Sequence, residues 1–132
     1  MASRYFTLEE ANEAVGKLRP AVEQMVEYRR RYLAAEERRS ALTRQADSNG
    51  GDLTPTDFAE VEQALAREGE ALGRSIEHIQ SAGAQVKDLD RGLLDFPSRR
   101  DGVEILLCWH LGEDEIEYWH GSEEGFASRK PL

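Results

Sequence analysis

Near the C-terminal end stand a thiol and two imidazoles, Cys108, His110 and His120, the donor types that hold zinc and related divalent metals. In a strand, residues two apart share a face, so Cys108 and His110 lie together there, and the register of the next hairpin decides whether His120 joins them. Pairing Leu111 with Ile116 sets Cys108 opposite Trp119 and turns His120 away. A slip of one residue sets Cys108 opposite His120 instead, and the sequence leaves both registers open. No Cys-x-x-Cys or His-x-x-x-His pair accompanies these three residues. The plainer reading therefore stands beside the metal one: a small buried hydrophobe and two ordinary polar side chains. No cofactor is expected, with a divalent metal as the alternative.

Carboxylates form a second group. Asp88, Asp90 and Asp95 could bind a hard cation or exchange protons, and Asp88 and Asp90 alternate onto one strand face. Against this, Asp90 is a natural turn builder, while Asp88 and Asp95 read as solvent-facing members of amphipathic strands, paired with Lys87 or Arg91. Asp90, Arg91, Arg99, Arg100, Glu113 and His120 all fall at turns or strand ends, where a scaffold presents binding residues. Connections at the same end of a meander gather Asp90-Arg91 with the Gly112–Glu115 turn and place Arg99-Arg100 at the opposite end. The resulting candidate ligand site is Asp88, Asp90, Arg91, Trp109, Glu113 and His120, with Arg91 as the anion-pairing group and Trp109 and Trp119 as flat walls. Otherwise both tryptophans are core or dimer-contact packing. No catalytic residue is assigned, because the chain carries no nucleophile-base pair in context, no phosphate-cradling loop and no dinucleotide fingerprint.

Two long helices precede these residues. Thr7-Leu8-Glu9-Glu10 has the form of a capping box with Phe6 as a staple before it, and Leu8, Ala11, Val15, Leu18, Val22 and Met25 follow at helical spacing. Pro20 interrupts that stripe, which predicts either a short helix followed by a long one or a single helix kinked there. The second segment runs toward Ala46, and Asp47 to Asp52 reads as a polar, glycine-rich loop. Helix restarts at Thr54-Pro55-Thr56-Asp57, buries Phe58, Val61, Leu65, Leu72, Ile76 and Ile79, and stops at Gly83. A hairpin over residues 7–83 gives each helix one partner, so a homodimer through the long helices is expected to cover the rest.

From Gln85 the period changes to two. Val86–Leu89 and Leu93–Phe96 flank an Asp90-Arg91-Gly92 turn, Pro97–Gly102 turns the chain again, and Val103–Leu111 and Ile116–His120 follow. The expectation is one α+β domain over 1–132, with a β-meander of about four strands over 84–120 and a C-terminal tail over 121–132, whose residues from Gly125 to Leu132 are short and polar enough to fray. Phe126 would anchor that tail.

Charge narrows the partners. A formal net charge of −9 repels phosphate backbones, so nucleic-acid binding is not expected. Asp101 to Glu124 holds eight acidic residues and no Lys or Arg. In Tyr28-Arg29-Arg30-Arg31-Tyr32, the one basic aromatic cluster, Glu27 is placed to pair with Arg30 or Arg31. One Cys forms no internal disulfide, and no apolar run resembles a membrane span or signal peptide, which predicts a cytoplasmic protein.

Lys87-Asp88-Leu89-Asp90-Arg91-Gly92, Leu94-Asp95-Phe96-Pro97-Ser98, Leu107-Cys108-Trp109-His110-Leu111-Gly112-Glu113, Tyr118-Trp119-His120 and Gly125-Phe126, with Phe6 to Asn12, resemble a bacterial family known only as domain of unknown function 2203. The resemblance spans nearly the whole chain and implies no substrate, cofactor or catalytic role. Members commonly carry Arg or Lys at the place of His110, which argues against His110 as an essential ligand. The functional expectation is a non-enzymatic, dimeric interaction or adaptor protein. Its alternative is a small-molecule or metal site at the sheet end.

Overall fold

The computed structural model describes residues 4–49 and 55–132. Its elements are α1 (Leu8–Asn49), α2 (Pro55–Ser81), β1 (Gln85–Asp88), β2 (Leu93–Arg100), β3 (Val103–His110), β4 (Tyr118–Gly121), a 3-10 turn at Phe126–Ser128 and β5 (Lys130–Pro131). The α+β class and the helical hairpin are as expected, with five strands rather than about four.

The start of α1 follows from its first residues. The Glu10 amide donates to the Thr7 hydroxyl at 3.1 Å and the Thr7 amide to the Glu10 carboxylate at 2.9 Å, so the capping box closes from both sides. Phe6 leaves the helix start to meet Phe96 edge-on, ring centroids 5.2 Å apart. Beyond that point α1 runs unbroken through Pro20 for 42 residues, about 63 Å at 1.5 Å per residue. Pro20 is exposed, while Leu18 and Val22 on either side of it are buried. Packing of those neighbours holds the helix across a position where proline removes one backbone bond. Replacing Pro20 by Ala is accordingly expected to raise stability by roughly 1–3 kcal/mol in urea titration. A loss of stability would mean that Pro20 begins a separate helix.

Asp47, Ser48 and Asn49 continue α1 instead of starting the loop. The Gly50–Asp52 segment and the Thr54 cap lie outside the described residues. At the far end of α2, Gly83 has a φ of 100° and its amide donates to the Gln80 carbonyl, the expected left-handed stop.

The strands form one antiparallel sheet in the order β1-β2-β3-β4-β5. Asp101 and Gly102 both have positive φ, as a two-residue turn between β2 and β3 requires. β2 outruns its predicted end and takes in Pro97, which the sequence places in a turn. The Pro97 carbonyl accepts from the Phe6 amide at 2.7 Å. A residue's N–H and C=O leave a strand on the same side, so proline's missing donor faces that edge, where β1 has ended, and not β3.

One sheet face carries Val86, Leu94, Phe96, Ile105, Leu107, Trp109 and Trp119, which pack with Ala11, Val15, Leu18, Val22, Met25 and Ile79 of the helices. Strand alternation sends Leu93, Asp95, Pro97, Leu106, Cys108, His110, Tyr118 and His120 to the other face. Past Arg29, which still reaches Asp90 in the β1–β2 connection, the hairpin is held by a small cluster of Ala35, Val61 and Leu65.

Candidate functional site

Asp95 comes from β2, Cys108 from β3 and His120 from β4, all on the face turned away from the helices. The register decides this meeting. Cys108 stands opposite Tyr118, and Leu106 opposite His120. This is neither of the two registers that the sequence leaves open, but it has the same consequence as the Cys108–His120 pairing, since Cys108 and His120 share a face as diagonal neighbours. Asp95 stands directly opposite Cys108. All three residues are between 0 and 2% exposed. One donor atom from each, a carboxylate oxygen, Sγ and an imidazole nitrogen, lies within 4.8 Å of the other two.

Hydrogen bonds define the proton inventory. The Nδ1 of His120 lies 2.9 Å from the Gly121 carbonyl, which can only accept, so Nδ1 carries a proton. Its Nε2 is 3.1 and 3.2 Å from the two Asp95 oxygens, a contact that is a hydrogen bond when a proton bridges the two groups. Both ring nitrogens are thus engaged with partners other than Cys108. Burial pushes the Cys108 thiol up to about 12, with Asp95 adding to the rise and Arg129 opposing it. A buried thiol without a free base beside it is a poor nucleophile, so acyl transfer through Cys108 has no support.

That shift sets a pH dependence. A thiol whose folded value lies above its ordinary 9.0 contributes its full stability below pH 9 and loses it as pH climbs toward about 12. The metal-free protein should lose up to about 1.4 kcal/mol per pH unit through this group across that window. Urea titrations of Cys108→Ala should show a shallower alkaline slope than wild type. Equal slopes would refute the assignment.

His110 does not join the set. It shares the face of Cys108 but stands at the strand end opposite Leu93, its side chain 31% exposed, with Nδ1 2.8 Å from the Leu111 carbonyl. Asp95 takes its place and corrects the expectation of a solvent-facing carboxylate, being 2% exposed. Its sequence signal was a lone carboxylate within Leu93-Leu94-Asp95-Phe96, in a strand buried on both faces.

The proposed ligand-site residues are dispersed. Asp90, Arg91 and His110 line an open cleft of about 500 Å³ with Leu111 and Phe126. Asp88 does not reach it as a ligand: its carboxylate accepts from the Asp90 and Arg91 amides at 2.8 and 3.0 Å, and those bonds hold it below the usual carboxylate range. Asp90 pairs with Arg29 at 3.5 Å. Trp109 is fully buried in the helix-facing core, its Nε1 donating to the Glu113 carbonyl, and so is no wall of a site. Glu113 reaches the C-terminal segment: Nη2 of Arg129 lies 2.7 and 2.9 Å from its two oxygens, one of which also accepts from the His110 amide. Arg99 and Arg100 lie over Tyr5 and Trp119. Glu27 binds both Arg30 and Arg31, leaving no open basic stripe there.

Arg129 carries no local sequence signal of a site residue. The predicted tail instead makes a short turn and β5, which pairs with β4 at Tyr118 and Trp119. Arg129 thereby lies over the Tyr118 and Phe126 rings and donates to the Cys108 carbonyl at 3.4 Å.

Over residues 4–132 the chain matches a family described as Uncharacterized conserved protein (DUF2203). No curated protein and no solved structure matches it.

Proposed function

The chain belongs to the DUF2203 family of uncharacterized conserved proteins, and from that premise we propose that the protein binds a divalent transition metal of the zinc class through Asp95, Cys108 and His120. One observation carries the reading: a carboxylate, a thiol and an imidazole from three strands converge within 4.8 Å in a buried position. This donor set mixes O, S and N, which favours zinc and its neighbours over calcium or magnesium, whose sites are built from oxygen. The Gly121 carbonyl fixes the imidazole orientation through Nδ1, leaving Nε2 to the metal, a support common around metal-ligating histidines.

Charge also balances. A dication with a thiolate, a carboxylate and a neutral imidazole has no net charge, which suits a buried place. Uptake expels the thiol proton and any proton bridging His120 and Asp95, so metal binding is accompanied by acidification. Three protein donors leave a fourth tetrahedral position, the arrangement in which zinc keeps a water or an anion. A cytoplasmic location belongs to the same reading, since the site needs Cys108 reduced; no helix among the described residues is long and apolar enough to cross a membrane.

Native mass spectrometry of protein purified without chelators tests the proposal. Stoichiometric retained metal, or uptake of one zinc per chain after addition, is expected, with loss in Cys108→Ala and His120→Gln. Cobalt(II) should give a thiolate charge-transfer band. No retained mass and no such band would overturn the assignment.

A dimeric interaction protein is the second reading, favoured by the hairpin arm past Arg29. Val61 and Leu72 pack inside the protein, so substitutions there would disrupt folding before they tested association. Leu33 is 40% exposed on the arm. If the arms pair, Leu33→Glu should convert a dimeric native mass to a monomeric one. A monomeric wild-type mass would exclude the arm interface.

A further inference from the structure

We propose that the chain from Ser122 to Leu132 is a strap that closes the Asp95–Cys108–His120 site, and that the Arg129–Glu113 ion pair is its clasp. The ion it admits rests on the metal reading above, whereas the opening itself does not. The site residues are 0 to 2% exposed, so anything that reaches them must first displace what covers them. The helices pack on the opposite face of the sheet and contribute nothing to this cover. The strap does: Arg129 crosses the site to the Cys108 carbonyl and lies over Tyr118, and Pro131 pairs with Tyr118.

What holds the strap is thin. Not one residue of it is buried, and its β5 pairing extends over two residues. Segments with so few buried apolar contacts are the ones that open without global unfolding. Against that background the Arg129–Glu113 contact stands out, because Nη2 reaches both carboxylate oxygens while both side chains are largely shielded from water. Glu113 is itself fixed to the rigid sheet through the His110 amide. Phe126 supplies the other hold, its ring meeting the guanidinium groups of Arg91 and Arg129 at 4.7 and 4.9 Å from its centroid. Since Phe126 also lines the cleft of Asp90, Arg91 and His110, lifting it joins that open cleft to the site.

Cys108 is the only cysteine, which makes its alkylation by iodoacetamide a direct reading of strap opening in the full chain. In metal-free protein, Glu113→Gln and Phe126→Ala are each expected to accelerate labelling by about tenfold or more relative to wild type, with the urea midpoint lowered only by the hold each side chain supplies to the strap. Ile79→Val, a core change remote from the strap, serves as the control: it should lower the urea midpoint and leave the labelling rate unchanged. Labelling that stays at the wild-type rate in both strap variants, or that quickens in Ile79→Val in step with its loss of global stability, would overturn the proposal. With zinc present, transfer of the ion to a chelator should quicken by a similar factor in Glu113→Gln. Zinc that binds at strap-independent rates, with unchanged alkylation, sinks the strap and leaves the metal site standing. Failure of zinc to bind any form ends the metal reading, and alkylation alone then judges the strap.

Discussion

Asp95→Leu is expected to destabilise the protein by about 3–5 kcal/mol, measured by urea unfolding, because it leaves Nε2 of His120 buried without its acceptor. His120→Leu should cost a similar amount, stranding the Asp95 carboxylate in the same apolar surroundings of Leu93, Pro97 and Leu106. The two losses are not additive. With both residues changed to Leu, no buried polar group is left unpaired, and much of the single-variant loss should return. Additive losses would mean that the two side chains do not act as a pair. The double variant also separates fold from function, since it should stay folded yet hold no metal.

Trp109→Ala should cost about 3–5 kcal/mol, the range for deleting a large, fully buried aromatic side chain. Trp109 does more than fill space. Its Nε1 donates to the Glu113 carbonyl at 2.9 Å, and Arg19, whose guanidinium lies 5.4 Å from the ring centroid, donates to the Glu113 and Asp114 carbonyls. This core side chain therefore also seats the turn that carries the strap's anionic partner. Trp109→Phe keeps most of the buried area and gives up the hydrogen bond, so its cost should fall to about 1 kcal/mol. Equal losses for the Ala and Phe variants would show that the hydrogen bond, not the packed ring, dominates.

How much of the site was legible depends on the kind of signal each residue gives. Cys108 and His120 stand out by residue type alone, and their sharing a face reduces to a choice between alternatives a sequence cannot make. A one-residue slip reverses the facing of a whole strand while changing no local preference. Asp95 was hidden because a carboxylate in a strand normally marks the solvent side, and nothing local announces that both faces are covered. His110 was the opposite case, a suitable side chain on the correct face but one step past the end of the site. Arg129 was hidden because a polar, proline-containing terminus has the composition of a fraying one. Its order depends on β4 offering an edge and on Glu113 lying 16 residues earlier in the chain.

By itself the sequence determined the helix start at Thr7, the stop at Gly83, the turns at Gly92 and Asp101-Gly102, and the change from helix to strand at Gln85. Those features follow from interactions within a few residues: caps, positive φ and side-chain period. Tertiary structure alone decided that Pro20 stays inside one helix, that the tail becomes a fifth strand, and that three strands bring Asp95, Cys108 and His120 together. Each of these depends on partners distant in the chain. The buried neighbours of Pro20 outweigh its local cost, β4 offers the edge on which the tail pairs as β5, and the register of β2, β3 and β4 sets the three side chains on one face.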